Sequence, residues 1–479
     1  MLNLKFKAIS GAKWGLTETI VSNIVNFLVI LFLTRELVPE DFGLIAMLAI
    51  FLSLSQVIID SGFSQAIIQR NKDVTEKDCS TLFTATFSIS IVIYILFFIL
   101  SENIGDFFDR NELALIVKII FIGVIINTFS IVPKAILSIN MDFKSQALST
   151  IFAMFMSALV AIYLVLSGFG FWAIVSLSIT KSLVSSLLLI YFSKWKPKIY
   201  FNIESFNKYF SFGKNLLLAG LINTFTKNIY SLIIGKYTGA RALGIYNQSE
   251  SFSNLLANNI INITQKITFP ILSSVKDERK RLLDIYKKVM SLTMFISFPI
   301  LFGFASISDE FVLIFLSEEW IEMSVILMFL SMARAISPIS MFNVSLLSAI
   351  GRADLILKID SIKLPITIIV LLITLPFGIE FVAFGQLINT LMFFIVNSYY
   401  SGALFNYGFT EQCKLLYKTL FASLAMFSVN QSFQLTNIYS SLILKIILGA
   451  VVYYTICKLM NVKWITYIER YLLASIRGG

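Results

Sequence analysis

The sequence predicts an all-α integral membrane protein with about 14 transmembrane helices, arranged as two six-helix lobes around a central cavity plus two carboxyl-terminal helices. Three observations lead to this fold class. The 479 residues are 57% hydrophobic and only 14% charged, and a mean hydropathy of +0.84 does not fit a water-soluble domain. The apolar residues form segments of about 20 residues, long enough to cross a hydrocarbon core roughly 30 Å thick. The first half of the chain also has a partial repeat in the second half.

The predicted spans follow one another with short connections. The first begins after a basic flank and lacks a convincing small-residue cleavage site, so we expect a retained helix rather than a signal peptide. The longest loops, near 193–212 and 264–288, are too short for a folded catalytic domain. With ends accurate to a few residues, the spans lie at 12–34, 43–59, 81–100, 113–131, 148–166, 172–192, 213–234, 243–263, 289–306, 323–347, 359–376, 381–401, 415–431 and 440–458.

The formal net charge of +10 is explained by membrane orientation and does not indicate nucleic-acid binding. With the amino terminus inside, the inner segments hold about 28 Lys and Arg residues, whereas the outer loops hold about four. The most basic segment, 276–288, falls inside, and the acidic segment 309–322 falls outside. We therefore expect both termini to lie in the cytoplasm.

Several kinds of chemistry lack the residues that they require. The chain has no histidine, no Walker-type G-x-x-x-x-G-K-[ST] motif and no C-x-x-C motif. Without these groups there is no basis for an ATPase, a zinc enzyme or a histidine general base. We expect a protein that is not an enzyme and that binds no cofactor and no metal.

The internal repeat defines the expected domains. Residues 11–47 can be aligned with residues 213–248, which places Gly43 over Gly244. The offset of about 201 residues spans six helices, and an even number of crossings preserves orientation. The expected organisation is an amino-terminal lobe at 1–200, a second lobe at 201–405, and two extra helices with a cytoplasmic tail at 406–479.

Two stretches of the sequence resemble a known family. LTRELVPEDFGLIAM, which opens the second span, and LGIYNQSESF, at the start of the eighth, resemble the Wzx-type oligosaccharide flippases of the polysaccharide-transporter branch of the MOP exporter superfamily. We expect Pro39 and Gly43 in the first stretch to be architectural, with Pro39 marking a turn and Gly43 allowing close helix packing.

The resemblance implies a function at the bacterial inner membrane. It implies movement of an undecaprenyl-pyrophosphate-linked oligosaccharide, a unit of O-antigen, capsule or exopolysaccharide, from the inner to the outer leaflet by alternating access. Membrane lipid surrounds such a protein, and a polysaccharide polymerase and glycosyltransferases are candidate partners. The main alternative is a cation-coupled multidrug or small-solute antiporter with a similar core. A membrane glycosyltransferase or ligase, and a scaffold without transport, are less consistent with the short loops and the buried polar residues.

Polar residues at helical spacing indicate which helix faces line a cavity. An anionic sugar lipid cannot cross hydrocarbon without a polar path. Residues four apart on one helix lie on the same face. The candidate stripes are Glu18, Ser22 and Asn26 in the first span, Asn223 and Lys227 in the seventh, and Glu250, Asn254, Asn258 and Asn262 in the eighth.

Three of the cations in predicted spans lie well away from the span ends. Lys181 and Arg334 are about 15 Å from either boundary, too far for their side chains to snorkel, whereas Lys227 is closer to the outer end. Each of the first two faces either a cavity or a buried carboxylate, for which the candidates are Glu18, Asp60 and Glu250. Three further lysines near span ends are expected to snorkel to the membrane surface, namely Lys118, Lys363 and Lys445.

These residues define the expected site. Lys181 and Arg334 neutralise the pyrophosphate, Lys227 assists, and Asn26, Asn223, Asn254 and Asn258 hydrogen-bond sugar hydroxyls. Glu18 and Glu250 are the candidates for ion-pair carboxylates or, in a coupled transporter, for the titrating group.

Overall fold

The computed structural model describes residues 2–70, 73–275, 277–433, 435–467 and 469–470. The structure is 89% helical, and these ranges contain no β-strand, which confirms the all-α class. The α-helices are α1 (Leu2–Glu36), α2 (Pro39–Asp60), α3 (Phe63–Arg70), α4 (Glu76–Ile99), α5 (Ser101–Phe108), α6 (Glu112–Ile120), α7 (Ile122–Ile139), α8 (Phe143–Leu166), α9 (Trp172–Ser193), α10 (Ile203–Ser274), α11 (Arg279–Ser306), α12 (Ser308–Phe315), α13 (Met323–Ala349), α14 (Ala353–Thr374), α15 (Ile379–Phe405), α16 (Phe409–Ser432) and α17 (Ile438–Leu459).

Eleven stretches in the described ranges are long and apolar enough to cross a membrane. One of them, Ile203–Asn262, is 60 residues long and contains two of the predicted spans. The helices α14 and α16, which contain two further predicted spans, are not among the eleven. The protein is therefore a multi-pass membrane protein, and the number of fourteen crossings stays a prediction.

The chain forms two compact units, Met1–Gly244 and Ile245–Gly479. The division falls inside α10, five residues after Gly239, where the backbone leaves the helical region with φ 85° and ψ 179°. The lobes expected from the repeat were instead bounded near residues 200 and 405. Because compactness and internal repetition are different criteria, those boundaries also stay a prediction.

In the first unit, α9 packs against α7 and α8, α1 packs against α8, and α4 packs against α7. A buried cluster that includes Phe63, Leu82 and Val132 joins α3, α4 and α7. On α9, the Ser186 hydroxyl donates a hydrogen bond of 3.0 Å to the carbonyl oxygen of Ile126 on α7. This bond fixes the rotation of α9, the helix that carries Lys181.

The segment between α9 and α10 is held along α4 by hydroxyl groups. The backbone N–H of Tyr200 donates to Thr84 Oγ1 at 3.0 Å, and that of Asn202 donates to Thr81 Oγ1 at 3.2 Å. At the start of α10, the Ser205 hydroxyl donates to Asp78 Oδ1 at 2.6 Å. Side chains of α4 therefore accept hydrogen bonds from backbone N–H groups of the connection, which have no partner in a helix or a strand.

Two glycines make a reciprocal close contact in the first unit. A Cβ atom at Gly43 would overlap the carbonyl oxygen of Ala240, and a Cβ atom at Gly244 would overlap that of Pro39. Adding the repeat offset of 201 to Pro39 and Gly43 gives Ala240 and Gly244, so each contact is the counterpart of the other. The expectation that Gly43 allows close packing is confirmed.

In the second unit, α13 packs against α11 and α15, and α11 packs against α16. The amide oxygen of Asn343 on α13 accepts hydrogen bonds from Tyr286 on α11 at 3.1 Å, Ser401 on α15 at 2.6 Å and Gln412 on α16 at 2.9 Å. All four residues are almost fully buried. One side chain thus links four helices through a network that water cannot easily enter.

Candidate functional site

Arg334 and Glu250 form an ion pair between α13 and α10. The Arg334 Nη2 atom lies 2.6 Å from Glu250 Oε1, and the two side chains retain 19% and 29% exposure. One turn away on each helix, the hydroxyl groups of Ser253 and Ser331 are 3.0 Å apart. The mid-span cation Arg334 therefore has one of the carboxylates considered from the sequence as its partner.

A proline lies one turn after Arg334. Pro338 has no N–H to donate to the carbonyl oxygen of Arg334 four residues earlier. The Ser337 hydroxyl donates to that oxygen at 3.0 Å instead. The guanidinium Nε of Arg334 is buried and has no acceptor in the described structure. The ion pair with Glu250 therefore leaves the Nε–H donor of the Arg334 guanidinium group without a hydrogen bond among the described residues.

Lys181 has a different environment. It lies near the middle of α9, a helix of 22 residues, and its side chain is exposed on the surface of the protein. No Asp or Glu side chain among the described residues forms an ion pair with it. Since a mid-span ammonium group is too far from either surface to snorkel, Lys181 needs water or an anion beside it.

Lys227 and the amides predicted with it are also accessible. Lys227 and Asn223 on α10 and Asn26 on α1 are exposed. Within the described residues, Lys227 forms no ion pair. Glu18, on the same face of α1 as Asn26, is half-buried and likewise has no cationic partner in the described part of the chain.

The polar stripe of the eighth predicted span follows the second half of α10. Glu250 is occupied by Arg334, Asn254 is half-buried and Asn258 is exposed. Among the nine predicted site residues, Arg334 and Glu250 are thus in direct contact. No hydrogen bond or ion pair in the described structure joins the other seven to one another, namely Glu18, Asn26, Lys181, Asn223, Lys227, Asn254 and Asn258.

The expectation that Lys445 snorkels is wrong. Lys445 on α17 is 1% exposed, and its Nζ lies 2.5 Å from Glu310 Oε1 on α12. The same oxygen accepts a hydrogen bond of 2.8 Å from the Ser441 hydroxyl. Glu310, expected in an acidic outer loop, is therefore a buried partner. Lys445 lies near the predicted outer end of its span and Glu310 lies just beyond the predicted outer end of another, and this similar depth is the signal that would have paired them.

A family model described as polysaccharide biosynthesis protein matches residues 32–325 of the chain. The teichuronic acid biosynthesis protein TuaB of Bacillus subtilis (strain 168) is 28% identical over 366 residues, 75% of each chain. The lipopolysaccharide biosynthesis protein WzxC of Escherichia coli (strain K12) is 25% identical over 371 residues, 76% of this chain and 74% of that protein.

Solved structures share the fold at lower identity. The lipid II flippase MurJ in an inward closed conformation has a TM-score of 0.74 and 17% identity, covering 95% of this chain and 100% of that one. An inward-facing multidrug resistance MATE family transporter of the MOP superfamily has a TM-score of 0.61 and 16% identity, covering 82% of this chain and 95% of that one. The similarity to these two structures concerns the fold alone.

Proposed function

We propose, on the premise that this chain belongs to the polysaccharide biosynthesis protein family, that it is a flippase for lipid-linked oligosaccharides. Its substrate is an undecaprenyl-pyrophosphate-linked unit of O-antigen, capsule or exopolysaccharide, moved from the inner to the outer leaflet of a bacterial inner membrane. Both termini lie in the cytoplasm, and no catalytic group takes part. The names of the relatives, which act in teichuronic acid and lipopolysaccharide biosynthesis, support this substrate class.

The observation that carries the proposal is the accessible, unpaired charge of Lys181. A cation at this depth is costly unless it meets water or an anion. A pyrophosphate supplies such an anion, and its oxygens accept the hydrogen bonds that an ammonium group donates. Lys227, exposed and without an acidic partner in the described structure, supplies a second cation for the same purpose.

Arg334 has another role in this proposal. Glu250 already neutralises its charge, so substrate phosphate would have to compete with a carboxylate 2.6 Å away. We assign Arg334 to substrate binding. In this role the substrate phosphate displaces the Glu250 carboxylate and binds the Arg334 guanidinium group in its place. The exposed amides of Asn26, Asn223 and Asn258, with the half-buried Asn254, provide hydrogen bonds for sugar hydroxyls.

Energy coupling, where present, is assigned to Glu18. Glu250 is engaged by Arg334, whereas Glu18 is half-buried and has no cationic partner among the described residues. A carboxylate without a fixed counter-ion can take up a proton or a cation during the transport cycle.

Purified protein in liposomes tests the function directly. A fluorescent undecaprenyl-pyrophosphate-linked oligosaccharide is incorporated in both leaflets, and an impermeant quencher reports how fast the inner pool reaches the outer surface. We expect flipping with the wild type and only the slow background rate in protein-free liposomes. A parallel assay follows uptake of a cationic dye, the substrate class of the alternative antiporter. Dye transport without flipping of the oligosaccharide lipid would replace this proposal with the alternative.

A further inference from the structure

A basic cavity lies where α9 ends and the connection to α10 begins. It has a volume of about 390 Å³ and is lined by Lys194, Lys196 and Lys198 together with one carboxylate, Glu76. The Glu76 carboxylate binds Lys198 at 2.6 Å. Lys194 and Lys196 are exposed and form no ion pair within the described residues. The cavity therefore keeps two positive charges without a counter-ion.

Trp195, which also lines this cavity, carries a buried hydrogen-bond donor. Trp195, between the two lysines, is 8% exposed, and its ring packs edge-on against Phe83 with 5.6 Å between the centroids. Its indole Nε1–H is buried and has no acceptor in the described structure. Such unmatched donors are rare in native proteins. The open groups here are all donors or cations, so the matching ligand is an anion with several acceptor oxygens.

The residues that follow indicate what carries the anion. Ile199 is 83% exposed, Phe201 51% and Ile203 58%, with Tyr200 beside them at 40%. Apolar and aromatic side chains next to lysines are typical of the membrane interface, where phosphate groups meet hydrocarbon. The charge pattern of the sequence predicts that this connection lies at the inner surface of the membrane.

We propose that Lys194, Trp195 and Lys196 bind the phosphate of an inner-leaflet lipid, with Ile199, Phe201 and Ile203 against its hydrocarbon chains. The lysines neutralise the phosphate, and the indole N–H of Trp195 donates a hydrogen bond to one of its oxygens. The site does not depend on the proposed flippase activity. Its phosphate belongs either to a phospholipid headgroup or to a polyprenyl diphosphate, which share this chemistry.

Native mass spectrometry of the full-length protein tests the site with four lipids. Phosphatidylglycerol is compared with diacylglycerol, and undecaprenyl diphosphate with undecaprenol, so that each pair differs in phosphate. We expect Lys194→Gln/Lys196→Gln to weaken binding of a phosphate lipid by about fivefold per lysine. We expect Trp195→Phe, which keeps the aromatic contact with Phe83, to weaken it by about tenfold.

The matched control is Lys280→Gln/Lys414→Gln, which removes the same charge from two exposed lysines on the face predicted to be cytoplasmic. Its binding should equal that of the wild type. Weaker binding of phosphatidylglycerol alone identifies a phospholipid site, and weaker binding of undecaprenyl diphosphate alone identifies the lipid carrier. Unchanged binding in Trp195→Phe, or an equal loss in the control, overturns the proposal. Because Trp195→Phe keeps all charges, it decides the question even where the double lysine variant fails to fold.

Discussion

Lys181 is the residue on which the proposed transport depends most. We expect Lys181→Ala to reduce flipping in liposomes by at least about tenfold, since a charged hydrogen bond contributes about 1.5–3 kcal/mol. Lys181→Arg should keep more activity than the alanine variant because it keeps the charge. Both variants should be as abundant in the membrane as the wild type, since no carboxylate in the described structure loses a partner.

Lys118→Ala is the control for this experiment. Lys118 lies near a predicted span end, and its Nζ stands 5.2 Å from the ring centroid of Phe98. Its removal should leave flipping unchanged. Full activity of well-expressed Lys181→Ala would remove Lys181 from substrate binding.

The Arg334–Glu250 pair leads to a different pattern. Arg334→Ala leaves Glu250 without its partner and should lower abundance and thermal stability. Breaking a fully buried pair costs about 3–5 kcal/mol, and we expect a smaller loss here because both side chains are partly exposed. In Arg334→Gln/Glu250→Gln no charge is left unpaired, so abundance should return. Flipping should not return if phosphate must displace Glu250 from Arg334. Recovery of both abundance and flipping in the double variant would show that the pair is structural.

The sequence indicates which cations lie deep in a span, but not which groups they contact. Hydropathy and the 1.5 Å rise per residue place Arg334 and Lys181 deep in the membrane. The choice between a cavity and a carboxylate depends on helix rotation and on neighbours far away in the sequence. Glu250 is 84 residues from Arg334 and Glu310 is 135 residues from Lys445 in the sequence. The spacing of residues along the chain therefore indicated the first pair only as one alternative and did not indicate the second.

At the scale of helices, the reciprocal contact of Gly43 and Gly244 makes a quantitative prediction. A methyl group at either position overlaps a backbone carbonyl that cannot rotate away. We expect Gly43→Ala and Gly244→Ala each to destabilise the protein by about 1–3 kcal/mol, the usual range for overpacking. Thermal unfolding of the purified variants in detergent measures this effect.

Gly15→Ala provides the matched control because, among the described residues and apart from the adjacent backbone of α1, no atom lies within 4 Å of a Cβ at this position. Alanine has the higher helix propensity, so this variant should be as stable as the wild type or slightly more stable. Equal stability of all three variants would mean that the start of α2 and the part of α10 after Gly239 separate readily.

Helix positions were predictable from the sequence to a large extent, because apolar segments of membrane length leave few other structures open. Each of the fourteen predicted spans falls on helical segments, although 113–131 is divided at Phe121 between α6 and α7. The short helices α3, α5 and α12 were not predicted, since eight residues carry too little periodicity. The family resemblance seen in LTRELVPEDFGLIAM is confirmed by the match over residues 32–325.

At the scale of the whole molecule, the distribution of charge predicts the topology. Single cysteines at Ser317 and Lys463, on a background without Cys79, Cys413 and Cys457, can be labelled with an impermeant reagent in intact spheroplasts. We expect labelling at position 317, and at position 463 only after the membrane is opened. A tail position such as Ser475 would serve the same purpose but lies outside the described residues. Labelling of position 463 in intact spheroplasts would reverse the predicted orientation.

The connection held along α4 has a consequence for amide hydrogen exchange. Tyr200 and Asn202 lie outside regular secondary structure, where backbone amides normally exchange with solvent deuterium within seconds. Their N–H groups donate to Thr84 and Thr81, so exchange at these two amides requires the segment to detach from α4. We expect slow exchange at both amides in the wild type and fast exchange in Thr81→Val/Thr84→Val. The exchange rate in the wild type then measures how often the chain between α9 and α10 detaches from α4.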